Sequence, residues 1–163
     1  MKKLYAPWRS SYVKDREHKT SKEKSCVFCE KAKSLSDDKE YIIKRYPYCF
    51  VMLNTYPYNA GHVMIIPNKH VKDLTELSSE ERIELMHALS ETVTILNKTL
   101  TPDGINIGIN LGKAAGAGIP KHLHIHVLPR WEGDTNFMPL LAETKQVSMD
   151  LNEIYQILKK AFV

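Results

Sequence analysis

Residues 122–127 have the sequence HLHIHV, with a histidine at every second position and an aliphatic residue after each. Successive side chains of a β-strand point to opposite faces of its sheet. A strand here would therefore place His122, His124 and His126 on one face and the aliphatic side chains on the other. Burial in a core explains the aliphatic face. The histidine face has no such structural explanation, and it indicates a chemical function.

The rest of the chain has the composition of an ordinary globular protein. Its 163 residues are 43% hydrophobic and 26% charged, which predicts one domain with a sizeable core. The net charge of +4 favours acidic partners such as phosphates only weakly. No apolar run approaches the roughly 20 residues that span a bilayer, so no membrane partner is expected.

The N-terminus and the cysteines bear on the location of the protein. The first 25 residues are basic and polar but lack the apolar segment of a secretory signal. Three cysteines in the whole chain do not make an extracellular disulfide framework. We therefore expect a cytoplasmic protein with an N-terminal arm at residues 1–25 and a single domain at residues 26–163.

Five strands are predicted in that domain. Residues 41–54 are rich in β-branched and aromatic side chains and break near Pro47, which indicates two strands. Residues 62–67 predict a third strand, which ends at a proline. Residues 105–110 alternate as a fourth, and the histidine segment is the fifth. Short connections between neighbouring strands favour antiparallel pairing and an α+β fold.

Two helices are predicted. Ser78 and Glu81 have the spacing of a capping box, which indicates that a helix begins there and extends over residues 79–100. Its apolar residues recur every three or four positions and predict one stripe: Ile83, Met86, Leu89, Val93, Leu96 and Leu100. A C-terminal helix is predicted from four apolar residues that would share a face: Leu151, Ile154, Leu158 and Phe162.

Two chemical functions compete for the histidine face. Neutral imidazole has one donor and one acceptor nitrogen, so it can bind a metal, accept a proton or attack an electrophile. All three histidines could bind one catalytic zinc ion. However, alternate residues of a strand lie about 6.5–7 Å apart, whereas zinc–nitrogen bonds are about 2.0–2.1 Å long. Geometry therefore favours one nucleophilic histidine assisted by its neighbours.

The segment HLHIHVLPR resembles the signature of the histidine triad (HIT) superfamily, in which three histidines alternate with hydrophobic residues. The segments CVFC, LNTYPYNAGHVMIIPNKH, INIGIN and AAGAGIPKHLHIHVLPRWEGDTNFMP also occur in the family's order. The sequences APWR and GDTNFMP are most similar to the bacterial branch related to diadenosine tetraphosphate (Ap4A) phosphorylases. The resemblance implies a HIT fold, with an antiparallel sheet of about five strands, one long helix and a C-terminal helix. It also implies a homodimer, with the apolar stripe of the long helix in part of the interface.

The resemblance also implies catalytic roles. In the HIT superfamily the middle histidine attacks the α-phosphate of a nucleotide and forms a covalent nucleotidyl-histidine, so His124 is the expected nucleophile. Neutral imidazole is a good nucleophile, and it is a good leaving group once it is phosphorylated, so one difficult displacement is divided into two easier steps. His126 would hydrogen-bond the phosphate or the leaving group, and His62 would lie near the triad.

Substrate contacts follow from the same resemblance. Asn54 is the expected ribose contact, and Asn110 is expected to hold the phosphate together with backbone amides of the loop Gly116–Gly118. Val51 and Leu53 are candidates for the base pocket. Many family members carry Gly-Gln-Ser or Gly-Gln-Thr before the triad, but this chain has GAGIPKH, with no hydroxyl and one extra residue. Lys113 or Lys121 could replace that hydroxyl, or either could be a solvated surface charge.

The implied enzyme is a HIT-type nucleotide hydrolase or phosphorylase that acts on adenine nucleotides, with dinucleoside polyphosphates such as Ap4A first. The acceptor is open, because phosphate would make a phosphorylase and water a hydrolase. The alternatives are an adenosine phosphoramidate hydrolase of the same family and a non-catalytic nucleotide-binding module. No organic cofactor is expected. The modest basic excess and the lack of a recognisable DNA-binding module give no reason to expect a nucleic-acid partner.

Cys26 and Cys29 form a C-x-x-C pair, which alone fits half a zinc site, a redox pair or coincidence. A thioredoxin-like pair follows a strand, whereas this pair follows a polar arm. Some HIT branches bind structural zinc through such a pair, a histidine after a strand and the first triad histidine. The resemblance therefore implies a structural zinc site at Cys26, Cys29, His70 and His122.

Overall fold

The computed structural model describes residues 25–135 and 149–162. The predicted N-terminal arm, apart from Ser25, lies outside the described residues, as does the part of the GDTNFMP segment beyond Thr135. The predicted boundary between arm and domain therefore stays a prediction.

The described residues form five strands and four α-helices, which we number along the chain. They are α1 (Val27–Lys33), α2 (Asp37–Glu40), β1 (Ile42–Arg45), β2 (Cys49–Leu53), β3 (Val63–Pro67), α3 (Ser79–Leu100), β4 (Gly104–Ile109), β5 (Ile125–Arg130) and α4 (Leu151–Ala161). The strands form one antiparallel sheet in the order β1-β2-β3-β5-β4. The predicted α+β class and the predicted division of residues 41–54 into two strands are both confirmed.

The histidine segment is only partly a strand. Strand β5 begins at Ile125, so His126 is paired with β3, while His122 and His124 precede the ladder. A hydrogen bond of 2.6 Å from the Leu123 amide to the Val71 carbonyl oxygen holds the segment ahead of β5. The predicted alternation persists, because the aliphatic residues between the histidines are buried in the main core.

The two faces of the sheet bury different clusters. Helices α3 and α4 cover one face, and the core on that side includes Val51 and Leu53. The other face carries a smaller cluster, which includes Phe50 and Met52. Cross-strand partners share a face, and Met52 is paired with Met64, which is paired with His126. The histidine face is thus the Met52 face, and the assignment of Val51 and Leu53 to a base pocket is wrong.

Helix α3 begins as predicted. The Ser78 hydroxyl accepts from the Glu81 amide, and the Glu81 carboxylate accepts from the Ser78 amide. Its predicted stripe is wrong at the first two positions, since Ile83 and Met86 are 69% and 57% exposed. The buried face is centred on Leu85, and Ile83 lies about 200° around the axis from it at 3.6 residues per turn. No helix among the described residues is both long and apolar enough to cross a bilayer.

Candidate functional site

His124 is buried, and one of its ring nitrogens hydrogen-bonds a backbone carbonyl oxygen. Nδ1 lies 2.8 Å from the carbonyl oxygen of His122. Because a carbonyl oxygen only accepts, Nδ1 carries the proton, and the lone pair of the neutral ring is on Nε2. Burial lowers the pKa of His124, so the ring is neutral near pH 7. His124 is therefore a neutral imidazole whose nucleophilic atom is Nε2.

His126 and His62 form a hydrogen-bonded pair beside His124. The Nε2 atom of His62 lies 2.9 Å from Nδ1 of His126, and the rings of His124 and His126 have centroids 4.8 Å apart. The residues before β3 thus bring His62 to the triad, as the resemblance implies. Burial and the neighbouring histidines lower the pKa of His62 to about 3, which keeps it neutral.

The protons of this pair can be assigned from the donors around His62. The backbone N–H of Tyr58 lies 3.2 Å from Nδ1 of His62 and can only donate, so this Nδ1 accepts. The proton of neutral His62 is then on Nε2 and is donated to Nδ1 of His126. Neutral His126 accordingly carries its own proton on Nε2, where it can donate to a bound group.

Asn54 supports the same assignment. Its Oδ1 accepts from the backbone N–H of Tyr56 at 3.0 Å, which identifies the other side-chain atom as the amide nitrogen. That nitrogen lies 3.3 Å from Nδ1 of His62. In this structure, therefore, the side chain predicted to bind ribose also hydrogen-bonds a histidine of the site.

A glycine is required in the turn that precedes His62. Gly61 has φ +68°, and a Cβ there would lie 2.5 Å from Cδ1 of Leu100. Two residues earlier, buried Asn59 donates to the Pro129 carbonyl oxygen at 3.0 Å and to Asp134 at 2.8 Å. These contacts fix the turn against the end of β5 and so help to determine where His62 lies.

The predicted phosphate contacts lie at the ends of β4 and β5. Ile109 is paired with Ile125, so Asn110 and His124 leave the paired strands at the same point. In the adjoining loop, the Gly116 amide donates to the Lys113 carbonyl oxygen at 3.0 Å. A phosphate bound by the Gly116 amide would have to replace that bond. Gly118 is half-buried in the same loop, and the Lys113 side chain is exposed, as is that of Lys121.

The four predicted metal ligands come together. Their ligand atoms all lie within 4.8 Å of one another. Sγ of Cys26 lies 3.3 Å from Nδ1 of His122, and Sγ of Cys29 lies 3.2 Å from Nδ1 of His70 and 3.6 Å from Nδ1 of His122. A tetrahedral zinc ion with ordinary bond lengths would place sulfur and nitrogen ligands about 3.5 Å apart.

The surroundings of His122 fit a metal ligand. Its Nε2 lies 2.9 Å from the Pro67 carbonyl oxygen, so the proton is on Nε2 and the lone pair of Nδ1 faces the cysteines. A carbonyl oxygen that accepts from the other ring nitrogen in this way fixes the tautomer of metal-bound histidines. Cys26 immediately precedes helix α1 and Cys29 lies in its first turn, and the sequence did not predict this helix. Two thiols facing two imidazole nitrogens favour a metal site over a redox pair.

The three triad histidines do not converge on one metal. His122 faces the cysteines, His124 bonds the backbone, and His126 bonds His62. Among residues 25–135 and 149–162, the one cluster with metal-site spacing contains His122 but neither of the other two. The alternative of a catalytic zinc ion on the triad therefore has no support in the geometry.

The chain that carries this site is similar to a known protein family. The sequence model of the HIT domain matches residues 36–133, more than half of the chain. The chain belongs to the HIT family. The AP-4-A phosphorylase of Mycobacterium tuberculosis is 33% identical to this HIT protein over an alignment of length 162 that covers 97% of this chain and 83% of that one.

Two further relatives extend the comparison. A bis(5'-nucleosyl)-tetraphosphatase (asymmetrical) of Schizosaccharomyces pombe is 33% identical over 82 residues, half of this HIT chain and 44% of the yeast protein. The crystal structure of a zinc-bound HIT family protein from Mycobacterium smegmatis matches with a TM-score of 0.68 and 30% identity. That match covers 84% of this chain and 92% of the other. The predicted HIT fold is thereby confirmed.

Two side chains at the site were not predicted from the sequence. Phe28 lies between the two cysteines, and its ring centroid is 5.5 Å from that of His122 and 5.2 Å from that of His124. Tyr58 packs against the pair of His62 and His126. An aromatic residue in a C-x-x-C or in a turn has many ordinary structural explanations, so neither position had a distinguishing sequence signal.

Proposed function

We propose that this HIT protein is a nucleotidyl-transfer enzyme that acts on adenine nucleotides through a covalent intermediate on His124. The observation that carries the proposal is the hydrogen bond from Nδ1 of His124 to the His122 carbonyl oxygen. It directs the lone pair of a neutral, buried imidazole to Nε2. Attack by Nε2 on the α-phosphorus would form an N–P bond and break the P–O bond to the leaving nucleotide.

His126 is proposed to assist that step. Its Nε2 carries a proton, because its Nδ1 accepts from His62. It can therefore donate to a phosphate oxygen or to the oxygen of the leaving group, and transfer of such a proton typically accelerates a reaction by about 10²–10⁴-fold. Asn110 and the loop of Gly116 and Gly118 are proposed to hold the phosphate, and Asn54 the ribose.

Ap4A is the first proposed substrate, with inorganic phosphate as the acceptor. The support is the similarity to an AP-4-A phosphorylase over nearly the whole chain. In the first step ATP would leave with the bridging oxygen, and adenylate would stay on His124. Attack by phosphate would then release ADP and regenerate the histidine, whereas attack by water would release AMP.

Product analysis of purified protein incubated with Ap4A, with and without inorganic phosphate, tests the acceptor. We expect ATP and ADP in equal amounts, and only when phosphate is present. ATP and AMP regardless of phosphate would contradict phosphorolysis but keep the nucleophile. If Ap4A is not consumed, adenosine phosphoramidates are the next substrates to test. Binding of nucleotides without turnover of either class would support the binding-module alternative and contradict catalysis.

We propose structural zinc at Cys26, Cys29, His70 and His122. The support is the mixed thiol and imidazole donor set at tetrahedral spacing, together with a zinc-bound relative of the same fold. When bound, the ion would join helix α1 to the segment after β3 and to the segment before β5. Free thiols as metal ligands also support a reducing compartment such as the cytoplasm.

We propose a homodimer that forms along strand β4. This strand is at the edge of the sheet, and edge strands present unpaired backbone groups to a partner. Ile107 of β4 and Leu111 just after it are 50% and 44% exposed. Four of the six residues of the predicted α3 stripe pack against the core of the same subunit, so only Ile83 and Met86 of that stripe stay candidates for the interface.

Ile107→Lys is expected to convert the dimer to a monomer by placing a charge in the proposed interface. Light scattering coupled to size exclusion would show the mass fall by half. Ile83→Lys is the matched control, because Ile83 is an equally apolar, 69% exposed residue on α3. Dissociation by Ile83→Lys but not by Ile107→Lys would contradict the β4 interface and place it on the helix.

A further inference from the structure

Tyr58 lies in the turn between β2 and β3, and its ring packs against two histidines of the site. Its ring centroid is 4.8 Å from that of His62 and 6.1 Å from that of His126. The ring planes are inclined by 40° and 32°. The two imidazoles are themselves 5.1 Å apart. The phenol ring thus lies alongside the hydrogen-bonded pair and limits the rotation of both imidazoles.

The main chain of the same residue acts on the same pair. The Tyr58 N–H donates to Nδ1 of His62 at 3.2 Å, and this bond excludes the tautomer with a proton on Nδ1, because two donors would then face each other. The Asn54 amide adds a second donor near that nitrogen. One residue therefore contributes both a tautomer-selecting hydrogen bond and a ring that keeps the imidazoles oriented.

We propose that Tyr58 is a positioning residue for His126, and that it holds the pair of His62 and His126 in the one tautomer that leaves a proton on Nε2 of His126. The inference rests on the proposed function, since that proton matters for catalysis only if a phosphate or a leaving group binds there. Tyr58 itself need not touch the substrate. Its effect reaches the reaction through the orientation of His126.

The electrostatics of His62 agree with this geometry. The groups that face it are His124 and His126 from the triad segment, and Asn54 and Tyr58 from the turn. Burial lowers the pKa of His62 to about 3, so His62 is uncharged at neutral pH. Removal of the Tyr58 ring would admit water and raise the pKa of His62 toward the ordinary value of about 6.5.

Tyr58→Ala tests the proposal. We expect kcat to fall about 10- to 100-fold with KM changed less than about threefold, because misorientation of an assisting group affects the transition state more than binding. The acid limb of the kcat profile should move up toward pH 6. Tyr58→Ala keeps the main-chain donor but removes the ring that holds His62 against it, so the imidazoles can rotate away from that donor. Long-range proton–nitrogen NMR of the resting protein should therefore show mixed tautomers for His62 and His126, where the wild type shows one.

Two variants serve as controls. Tyr58→Phe keeps the aromatic ring, so it should show the single tautomer and the kcat of the wild type. Tyr48→Ala removes an aromatic ring at the other end of β2, and Tyr48 is 46% exposed. It should behave as the wild type in every measurement. Tyr58→Leu fills the space without an aromatic ring, and we expect it to lower kcat as Tyr58→Ala does. It takes the place of Tyr58→Ala in these experiments if the alanine variant does not fold.

Several outcomes would overturn the proposal. A raised KM for Ap4A at unchanged kcat in Tyr58→Ala would mean that the ring binds a base. A single wild-type tautomer in Tyr58→Ala or Tyr58→Leu would mean that the main-chain donor of residue 58 and the remaining contacts hold the pair without the ring. Because the NMR measurement needs no substrate, it tests Tyr58 even if no nucleotide is turned over. Failure of the proposed function is therefore distinguishable from failure of this inference.

Discussion

His124→Asn is expected to reduce nucleotidyl transfer at least about 10⁴-fold, because the variant has no nucleophile with which to form the intermediate. The amide of asparagine can still donate near the His122 carbonyl oxygen, so the fold should be retained. Intact-protein mass spectrometry after incubation with Ap4A should show an adenylate adduct on the wild type and none on the variant. Circular dichroism and thermal melting would confirm that the variant is folded.

His87→Asn is the matched control for this experiment. It makes the same substitution at an exposed histidine of helix α3, whose side chain is 70% accessible and lies 4.0 Å from Glu91. Adduct formation and turnover should equal those of the wild type. Full turnover by His124→Asn, or an adduct that forms on it at the wild-type rate, would mean that another residue attacks and would refute the proposed mechanism.

Cys29→Ser is expected to remove bound zinc and lower Tm by about 10 °C or more. Loss of a structural metal site costs several kcal/mol, and each kcal/mol shifts Tm by about 2–4 °C in a chain of this size. Elemental analysis should show about one zinc per chain for the wild type and none for the variant. Melting with and without a chelator should give the wild type two distinct values of Tm and the variant one.

Cys49→Ala is the control for the metal experiment. Cys49 is fully buried in β2 and lies outside the four-residue cluster, so this variant should keep its zinc and lose only the packing of one small side chain. The contradicting outcome would be that a chelator stops catalysis at once without changing the Tm of the wild type. Zinc would then be a participant in the reaction, and the structural assignment would be wrong.

The elements that were predicted correctly have local physical causes. The start of α3 follows from the Ser78 and Glu81 pair, which satisfies backbone amides at the first turn. The strands follow from alternation and from β-branched content, and the break at Pro47 follows from the missing amide of proline. The division of roles among the three histidines followed from the resemblance and stays a prediction. The structure places His62 2.9 Å from His126 and brings the ligand atoms of the four proposed metal ligands within 4.8 Å of one another.

The errors have a different origin. The stripe of α3 failed at Ile83 and Met86 because each three-residue step falls about 60° short of a full turn, so these residues lie about 120° and 60° around the axis from buried Leu89. Val51 and Leu53 were placed on the wrong side because alternation identifies two faces without telling which one carries the site. Phe28 and Tyr58 were missed because their partners are distant in sequence, and only folding brings them to the histidines.

The connection between His122 and His124 has a consequence for how such a chain can vary. The His122 ring belongs to the proposed metal site, while its carbonyl oxygen accepts from His124, the proposed nucleophile, so the two proposed centres share three consecutive residues. Inserting or deleting a single residue between them would reverse the alternation and damage both centres together. The loop upstream is not part of a strand, so a change in its length would leave this alternation intact. A change of length within residues 122–126 would therefore affect metal binding and nucleotidyl transfer together, whereas a change in the loop would affect only the proposed phosphate contacts.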